Sequence, residues 1–304
     1  MTPMNLTRRA MLGAPAAVAT SSALALPAAA QDTTSPRIHR VTQTTPFPVN
    51  AYIVEGTDGL VVIDALLTVA ASAMLRERVD AIGKPLRAAL LTHPHPDHYA
   101  GLETVTRGLD APIVSVPGVN EVVRRDDAAK DALIGGMFGP EWPATRTFPT
   151  DTVTEGAQLD FGPGLVFSVM DIGPAESFHD SVFLLDGPRP VVFVGDLAYG
   201  LMHPYMADNT NPDWRAALDR LRGELAEDLP LFIGHGAPVT TGFLDWQETY
   251  LDLFEAAIRS ANWSDRDAAT AAVMRRMKDY LPSDDLVLLA QLSVLPNAKR
   301  LGML

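Results

Sequence analysis

Thr92-His93-Pro94-His95-Pro96-Asp97-His98 decides how the rest of this chain is read. Three histidines and a carboxylate follow directly on the apolar run Ala88-Ala89-Leu90-Leu91. The whole chain holds only seven histidines, so three in one short stretch is a concentration rather than a scatter. His93 and His95 stand two apart on an extended segment, so both imidazoles leave the same side. Pro94 and Pro96 come straight after them. Each proline pushes the preceding histidine toward extended backbone and fixes its own φ, which stiffens the loop. Asp97 and His98 open a helix and project differently from the first pair. Two pairs of N/O donors at two angles suit two adjacent borderline metal ions, zinc before others.

His-x-His-x-Asp-His after a buried strand resembles the signature of the metallo-β-lactamase superfamily. The resemblance runs over roughly residues 38–240 and extends to two later strand ends. Val191-Val-Phe-Val-Gly-Asp196 ends where the family's dinuclear hydrolases place an aspartate bridging two metals. Leu231-Phe-Ile-Gly-His235-Gly-Ala-Pro ends in a turn like the one that carries the family's last histidine ligand. Between them the family has a Gly-His-Thr ligand. Here the matching stretch is Gly173-Pro-Ala-Glu176-Ser177-Phe-His179-Asp-Ser, with glutamate in the histidine's place and serine in the threonine's.

The resemblance implies a ligand set. His93, His95 and Glu176 hold a first metal; Asp97, His98 and His235 hold a second; Asp196 lies between. His179, three residues after Glu176, is the alternative ligand. Glutamate binds zinc through oxygen and makes its site harder, which opens iron or manganese as alternatives to two zinc ions. Thr92 and Ser177 are expected behind the ligands. By analogy with family members, Tyr199, His203 and Tyr205 are expected to touch substrate.

The implied chemistry is metal-assisted hydrolysis, in which a hydroxide formed near neutral pH attacks a carbonyl or similar centre and Asp97 orients it. An aspartate at position 196 resembles the thioester hydrolase and lactonase branches, so an ester, lactone or thioester ranks above a β-lactam. The alternatives are a β-lactam hydrolase, a mononuclear iron dioxygenase of the same fold, and a non-catalytic periplasmic metal-binding or relay protein.

The first thirty residues read as a targeting segment. Thr7-Arg8-Arg9-Ala10-Met11-Leu12 is a twin-arginine pattern, followed by small and apolar residues and by Pro27-Ala28-Ala29-Ala30. The apolar run falls short of the roughly 20 residues that span a bilayer. Cleavage is expected after Ala30, with export through the twin-arginine route to the periplasm or beyond and no stable membrane anchor. Residues 31–304 then form one domain. The chain carries a formal charge of −13, and loss of Arg8 and Arg9 makes it more acidic still. That balance argues against nucleic acid and anionic lipid as partners and leaves a small-molecule substrate. With no cysteine there is no disulfide, no thiolate ligand and no cysteine nucleophile.

Along the chain, strands are expected over 38–41, 50–55 and 60–64, with Thr57-Asp58-Gly59 as a hairpin turn. A helix is expected over 69–82 up to Gly83, then the buried strand 86–91, a helix over 100–108, a strand over 112–116 and a polar helix over 118–133. Residues 135–149 read as a long loop, a lid or a packed wall, with Phe138, Trp142 and Phe148. Further strands follow over 157–159, 165–171, 181–185, 191–194 and 231–233, with a helix over 214–225. The chain turns helical from about residue 243, with a break at Pro282. The fold class is α/β. The resemblance implies a four-layer αββα sandwich with extra C-terminal helices.

Overall fold

The apolar run before the histidines becomes a strand, and its neighbours determine where the histidines end up. The computed structural model describes residues 35–304, which fall within one compact unit. The targeting segment expected over residues 1–30 lies outside the described residues. The first sheet has six strands in spatial order: β1 (Arg37–Gln43), β2 (Val49–Glu55), β3 (Leu60–Ile63), β4 (Leu86–Leu90), β5 (Ile113–Ser115) and β6 (Asp151–Thr152). The first three pair antiparallel and the last three join in parallel. All four residues of β3 are buried, the near-continuous apolar pattern of a strand covered on both faces.

Parallel neighbours need a crossover, and α1 (Val69–Ile82) supplies the one from β3 to β4. Thr68 caps it by accepting from the Ala71 N–H at 3.2 Å, and Gly83 ends it in the left-handed region at φ 74°. After β4 come two short helices, α2 (Pro96–Tyr99) and α3 (Leu102–Thr106), where one helix was expected. The long helix α4 (Pro117–Phe138) continues past Gly135 and Gly136, into the stretch expected to be loop. Ile134 and Phe138 pack with Leu67, Ala100 and Trp142 in a small cluster. That burial outweighs the two glycines' poor helix propensity. Trp142 is thus part of a packed wall.

The second sheet runs β12 (Val239–Thr240), β11 (Pro230–His235), β10 (Val191–Tyr199), β9 (Asp180–Leu185), β8 (Val166–Gly173), β7 (Gln158–Asp160). One apolar core lies between the sheets. It joins Ile53, Val62 and Leu90 to Phe167, Phe183 and Phe193, and takes in Leu75 and Val79 of α1 on the outer face. The Tyr52 ring meets Phe193 at 5.5 Å and Phe232 at 5.3 Å, and its hydroxyl donates to the Ile233 carbonyl at 2.6 Å. That bond satisfies a buried polar group and ties β2 to β11.

A second core covers the far face of this sheet. Val192, Val194 and Ile233 pack against Trp214 and Leu218 of α5 (Asn211–Glu224), Phe254 of α6 (Leu244–Ser260), Met277 of α7 (Arg266–Tyr280) and Val294 of α8 (Val287–Arg300). The result is helix, sheet, sheet, helix, with extra C-terminal helices. Among the described residues no helix is long and apolar enough to cross a membrane.

Candidate metal centre

The site forms where strands of both sheets end. β4 delivers the Thr92–His98 loop. His95 sits extended at φ −76°, ψ 145° ahead of Pro96, which opens α2. β10 keeps irregular register with β11 from Phe193 to Tyr199. Such a register break re-aims side chains, and Asp196 lies inside it. β11 ends on His235. Glu176 arrives from the loop between β8 and β9.

Two donor groups result: His93, His95, Glu176 and Asp196, and Asp97, His98 and His235, with the donor atoms of each group within 4.8 Å of one another. The seven residues are buried. His95 Nδ1 stands 3.0 Å from Glu176 Oε2, and His93 Nε2 lies 3.7 Å from Asp196 Oδ2. His235 Nε2 lies 3.0 Å from Asp196 Oδ2 and 3.2 Å from Asp97 Oδ2. His98 Nε2 is 3.4 Å from Asp196 Oδ1. Asp196 therefore touches both groups. Gly234 makes room for it: a Cβ there would meet Asp196 Oδ1 at 1.9 Å.

The outer nitrogen of each histidine is held, which decides the inner one. A carbonyl only accepts, so the 2.5 Å contact of His235 Nδ1 with the Pro48 oxygen puts a proton on Nδ1 and turns Nε2 inward to Asp97 and Asp196. His98 Nδ1 donates to Asp64 Oδ2 at 2.9 Å. Thr92 Oγ1 gives its proton to Asp64 and accepts from His93 Nδ1 at 3.0 Å. His95 is turned the other way, with Nε2 on Asp208 Oδ2 at 3.1 Å and Nδ1 facing Glu176. His93 Nε2, His98 Nε2, Glu176 Oε2 and Asp196 Oδ1 have no hydrogen-bond partner, though buried. Three of the four histidines have an outward nitrogen on a carboxylate or carbonyl and His93 has one on the Thr92 hydroxyl, and an outward partner of that kind is what orients metal-binding histidines. The donor set fits a cation.

The buried carboxylates and imidazoles also shift one another. Burial works against ionisation of Asp196, yet His235, His98 and His93 outweigh it and hold the carboxyl well below its usual range. Asp97 is lowered against burial by His98 and His235. Burial opposes protonation of His95 and His235, but carboxylates raise them both to about 10. For Glu176, burial prevails over His95 and pushes the carboxyl up to about 8. Burial and the adjoining carboxylates raise the Tyr199 hydroxyl well above its ordinary value, so it stays protonated. Tyr199 lies flat on His235 at 4.9 Å, with its hydroxyl 2.9 Å from Glu176 Oε1 and 2.8 Å from Asp196 Oδ2.

The other expected residues fall variously. His179 stands away from the donors: its Nε2 meets Asp171 Oδ1 at 2.7 Å and its ring lies against Gly118. His203 is buried among the C-terminal helices, bonded to the Tyr250 hydroxyl at 2.6 Å and the Ser283 carbonyl, and belongs to neither donor group. The Tyr205 ring stands perpendicular to His95 at 5.2 Å and is half-buried. Ser177 bonds Asp180, which holds the Glu176 loop. Sequence reasoning missed Asp64, Asp208 and the Pro48 carbonyl. Asp64 had a signal, a carboxylate closing the apolar strand before α1. Asp208, in an irregular segment, had none.

Such a centre between two sheets defines a metal-binding αββα sandwich. The family model for the metallo-beta-lactamase superfamily matches residues 44–235. The chain belongs to that superfamily. It is 28% identical over 150 residues to the uncharacterized protein YobT of Bacillus subtilis, covering 49% of this chain and 62% of that one. It is 27% identical over 160 residues to a hydroxyacylglutathione hydrolase of Methylobacillus flagellatus, covering 52% of each. The chain thus spans between half and two thirds of the curated relatives it matches. Among solved structures, a metallo-beta-lactamase family protein from Thermus thermophilus superposes with a TM-score of 0.63 at 19% identity, over 88% of this chain and 93% of that one. The protein TTHA1623, solved in a di-iron-bound form, gives a TM-score of 0.55 at 27% identity, over 69% and 98%.

Proposed function

We propose that this protein is a dinuclear metallo-hydrolase, zinc-dependent in the first instance, that cleaves a small ester, lactone or thioester in the periplasm. One observation carries the reading: two buried donor groups share Asp196, and their unpaired atoms converge. Asp64, Asp97, Glu176 and Asp196 are all buried here. Buried carboxylates are costly unless cations balance them, and two divalent ions would do so.

When bound, the ions lower the pKa of a coordinated water to about 7 and polarise the electrophile. The chain's residues do the rest. His93, His95 and Glu176 would hold one ion, Asp97, His98 and His235 the other, with Asp196 between. Asp97 stays ionised across the physiological range and orients the attacking water by accepting its hydrogen. Tyr199 keeps its proton and steadies Glu176 and Asp196 through one hydroxyl. Asp64, Thr92 and Asp208 fix the histidine tautomers. Tyr205, beside His95, contacts substrate.

The hydroxyacylglutathione hydrolase relative supports hydrolysis. Iron or manganese is the second reading for the metal, favoured by the hard Glu176 oxygen and by the di-iron-bound relative. Protein purified without added metal is expected to hold about two ions per chain by elemental analysis. Chelation should abolish turnover in a screen of lactones, aryl esters, thioesters and β-lactams, and added metal should restore it. Asp97→Ala should keep the fold and lose several kcal/mol of transition-state stabilisation, hence at least about a hundredfold in rate. A metal content near zero, or activity of Asp97→Ala within tenfold of the parent, contradicts the reading.

A further inference from the structure

We infer that helix α8 is a self-association face, on which a second copy of this chain docks antiparallel about a twofold axis near Leu292. One side of α8 is locked into the protein. Ala290, Val294 and Ala298 are buried in the second core, Ser293 Oγ accepts from the Met206 N–H at 2.8 Å, and Asn297 Nδ2 donates to the Met206 carbonyl at 2.6 Å. The opposite side is apolar too. Leu288, Leu292 and Leu295 are 58%, 52% and 37% exposed. Their spacing of four and then three places them on one helical stripe. Single exposed leucines are ordinary, but a continuous stripe on a rigid helix is a contact surface.

Charge completes the pattern and selects the partner. Exposed Asp284 and Asp285 precede the stripe, and exposed Lys299 follows it. Asp284 is already paired with Lys278, and Arg300 at the other end with Glu255. Asp285 carries only a 3.4 Å contact from the Ser283 hydroxyl, and Lys299 forms no ion pair among the described residues. Asp285 lies just before the helix, ahead of Leu286 in the left-handed region at φ 61°, and Lys299 lies in its last turn. A twofold axis near Leu292 brings the acidic end that carries Asp285 to the basic end that carries Lys299 of the other copy, and the exposed leucines of the two helices together. A surface acid at one end, base at the other and apolar between is complementary to its own inverse, which is the requirement of an isologous contact. Antiparallel packing also places each helix N-terminus beside the other's C-terminus, which the helix dipoles favour. A depression between α7 and α8 is lined by Asp267, Thr270, Ala271, Met274 and Gln291, a mixed polar and apolar edge to the stripe. One helix pair with a narrow flank covers less than the roughly 1,200 Å² of a standard interface, so the dimer forms and dissociates with concentration.

Sedimentation velocity of the full chain tests this. The parent should move from monomer toward dimer as concentration rises through the micromolar range, and Leu292→Asp should stay monomeric with an unchanged circular dichroism spectrum. Asp285→Lys and Lys299→Asp should each weaken dimerisation about tenfold, and the two together should restore it to within about threefold. A parent that is monomeric at every concentration overturns the proposal, whether the stripe is then covered by residues 1–34 or by something else. So does a double variant no better than the singles, because recovery requires this pairing of acid and base.

Discussion

Glu176 is the residue on which the centre departs from its family's usual histidine. Its carboxylate faces His95 Nδ1 at 3.0 Å and the Tyr199 hydroxyl at 2.9 Å, while His179 is tied to Asp171. The motif register of Gly-Pro-Ala-Glu-Ser pointed to Glu176, and the folded chain brings that residue and not His179 to the donors. The loop is held for it: Asp180 accepts from the Ser177 N–H, and the Thr210 hydroxyl donates to the Glu176 carbonyl. An amide in place of the carboxylate keeps the shape and removes the charge. Glu176→Gln should therefore weaken metal affinity roughly 10–100-fold, the range typical of groups that act on or behind a ligand. His179→Ala should leave affinity within about twofold, and Glu176→His should largely retain it. Metal titrations followed by competition with a chromophoric chelator separate them. If His179→Ala loses a metal that Glu176→Gln keeps, the assignment is wrong.

At the scale of elements, the centre depends on how closely the β3–α1 connection meets the α2–α3 junction. The Ala65 N–H donates to the His98 carbonyl at 2.8 Å, and the Gly101 N–H to the Leu66 carbonyl at 3.1 Å. A Cβ on Gly101 would meet the Ala65 oxygen at 2.0 Å and Ser72 Oγ at 2.2 Å. Gly101→Ala must push α1 and the histidine loop apart, at a cost of about 1–3 kcal/mol. Since His98 moves with the loop, metal affinity should fall along with the unfolding midpoint in denaturant. A variant as stable as the parent sinks this account of the contact. Buried strands were readable before the fold was known, because Leu60 to Ile63 and the run ending at Leu91 are apolar throughout. The short edges β6 and β12 were not, because two residues carry no period. Nor was the continuation of β10 through Gly195 and Asp196 to Tyr199, where a register break hides the alternation. The course of α4 across two glycines comes from contacts with Leu67 and Trp142, which are distant in sequence. The partners of the histidines were hidden for the same reason: Asp208 meets His95 across 113 residues of chain.

For the whole molecule, the decisive property is that its donors are far apart in sequence and adjacent only when folded. His93 and His235 come from strands of different sheets, and the Pro48 carbonyl that orients His235 lies at the start of β2. An unfolded chain offers a cation the 93–98 loop alone. Metal binding is thus coupled to folding, and the compartment in which the chain folds supplies the ion. We propose that the chain folds in the cytoplasm with its metal and crosses the membrane folded, with Arg8-Arg9 and the apolar segment behind them as the signal for that route. Lysine keeps the charge of arginine but loses its planar fork of donors, so the exchange is not conservative where a receptor reads the pair. Replacement of both arginines by lysine should leave the uncleaved precursor in the cytoplasm, folded and carrying metal, while the parent chain accumulates outside the inner membrane. Cell fractionation followed by immunoblotting reads the outcome. Equal periplasmic accumulation of the double variant and the parent would refute export by this route.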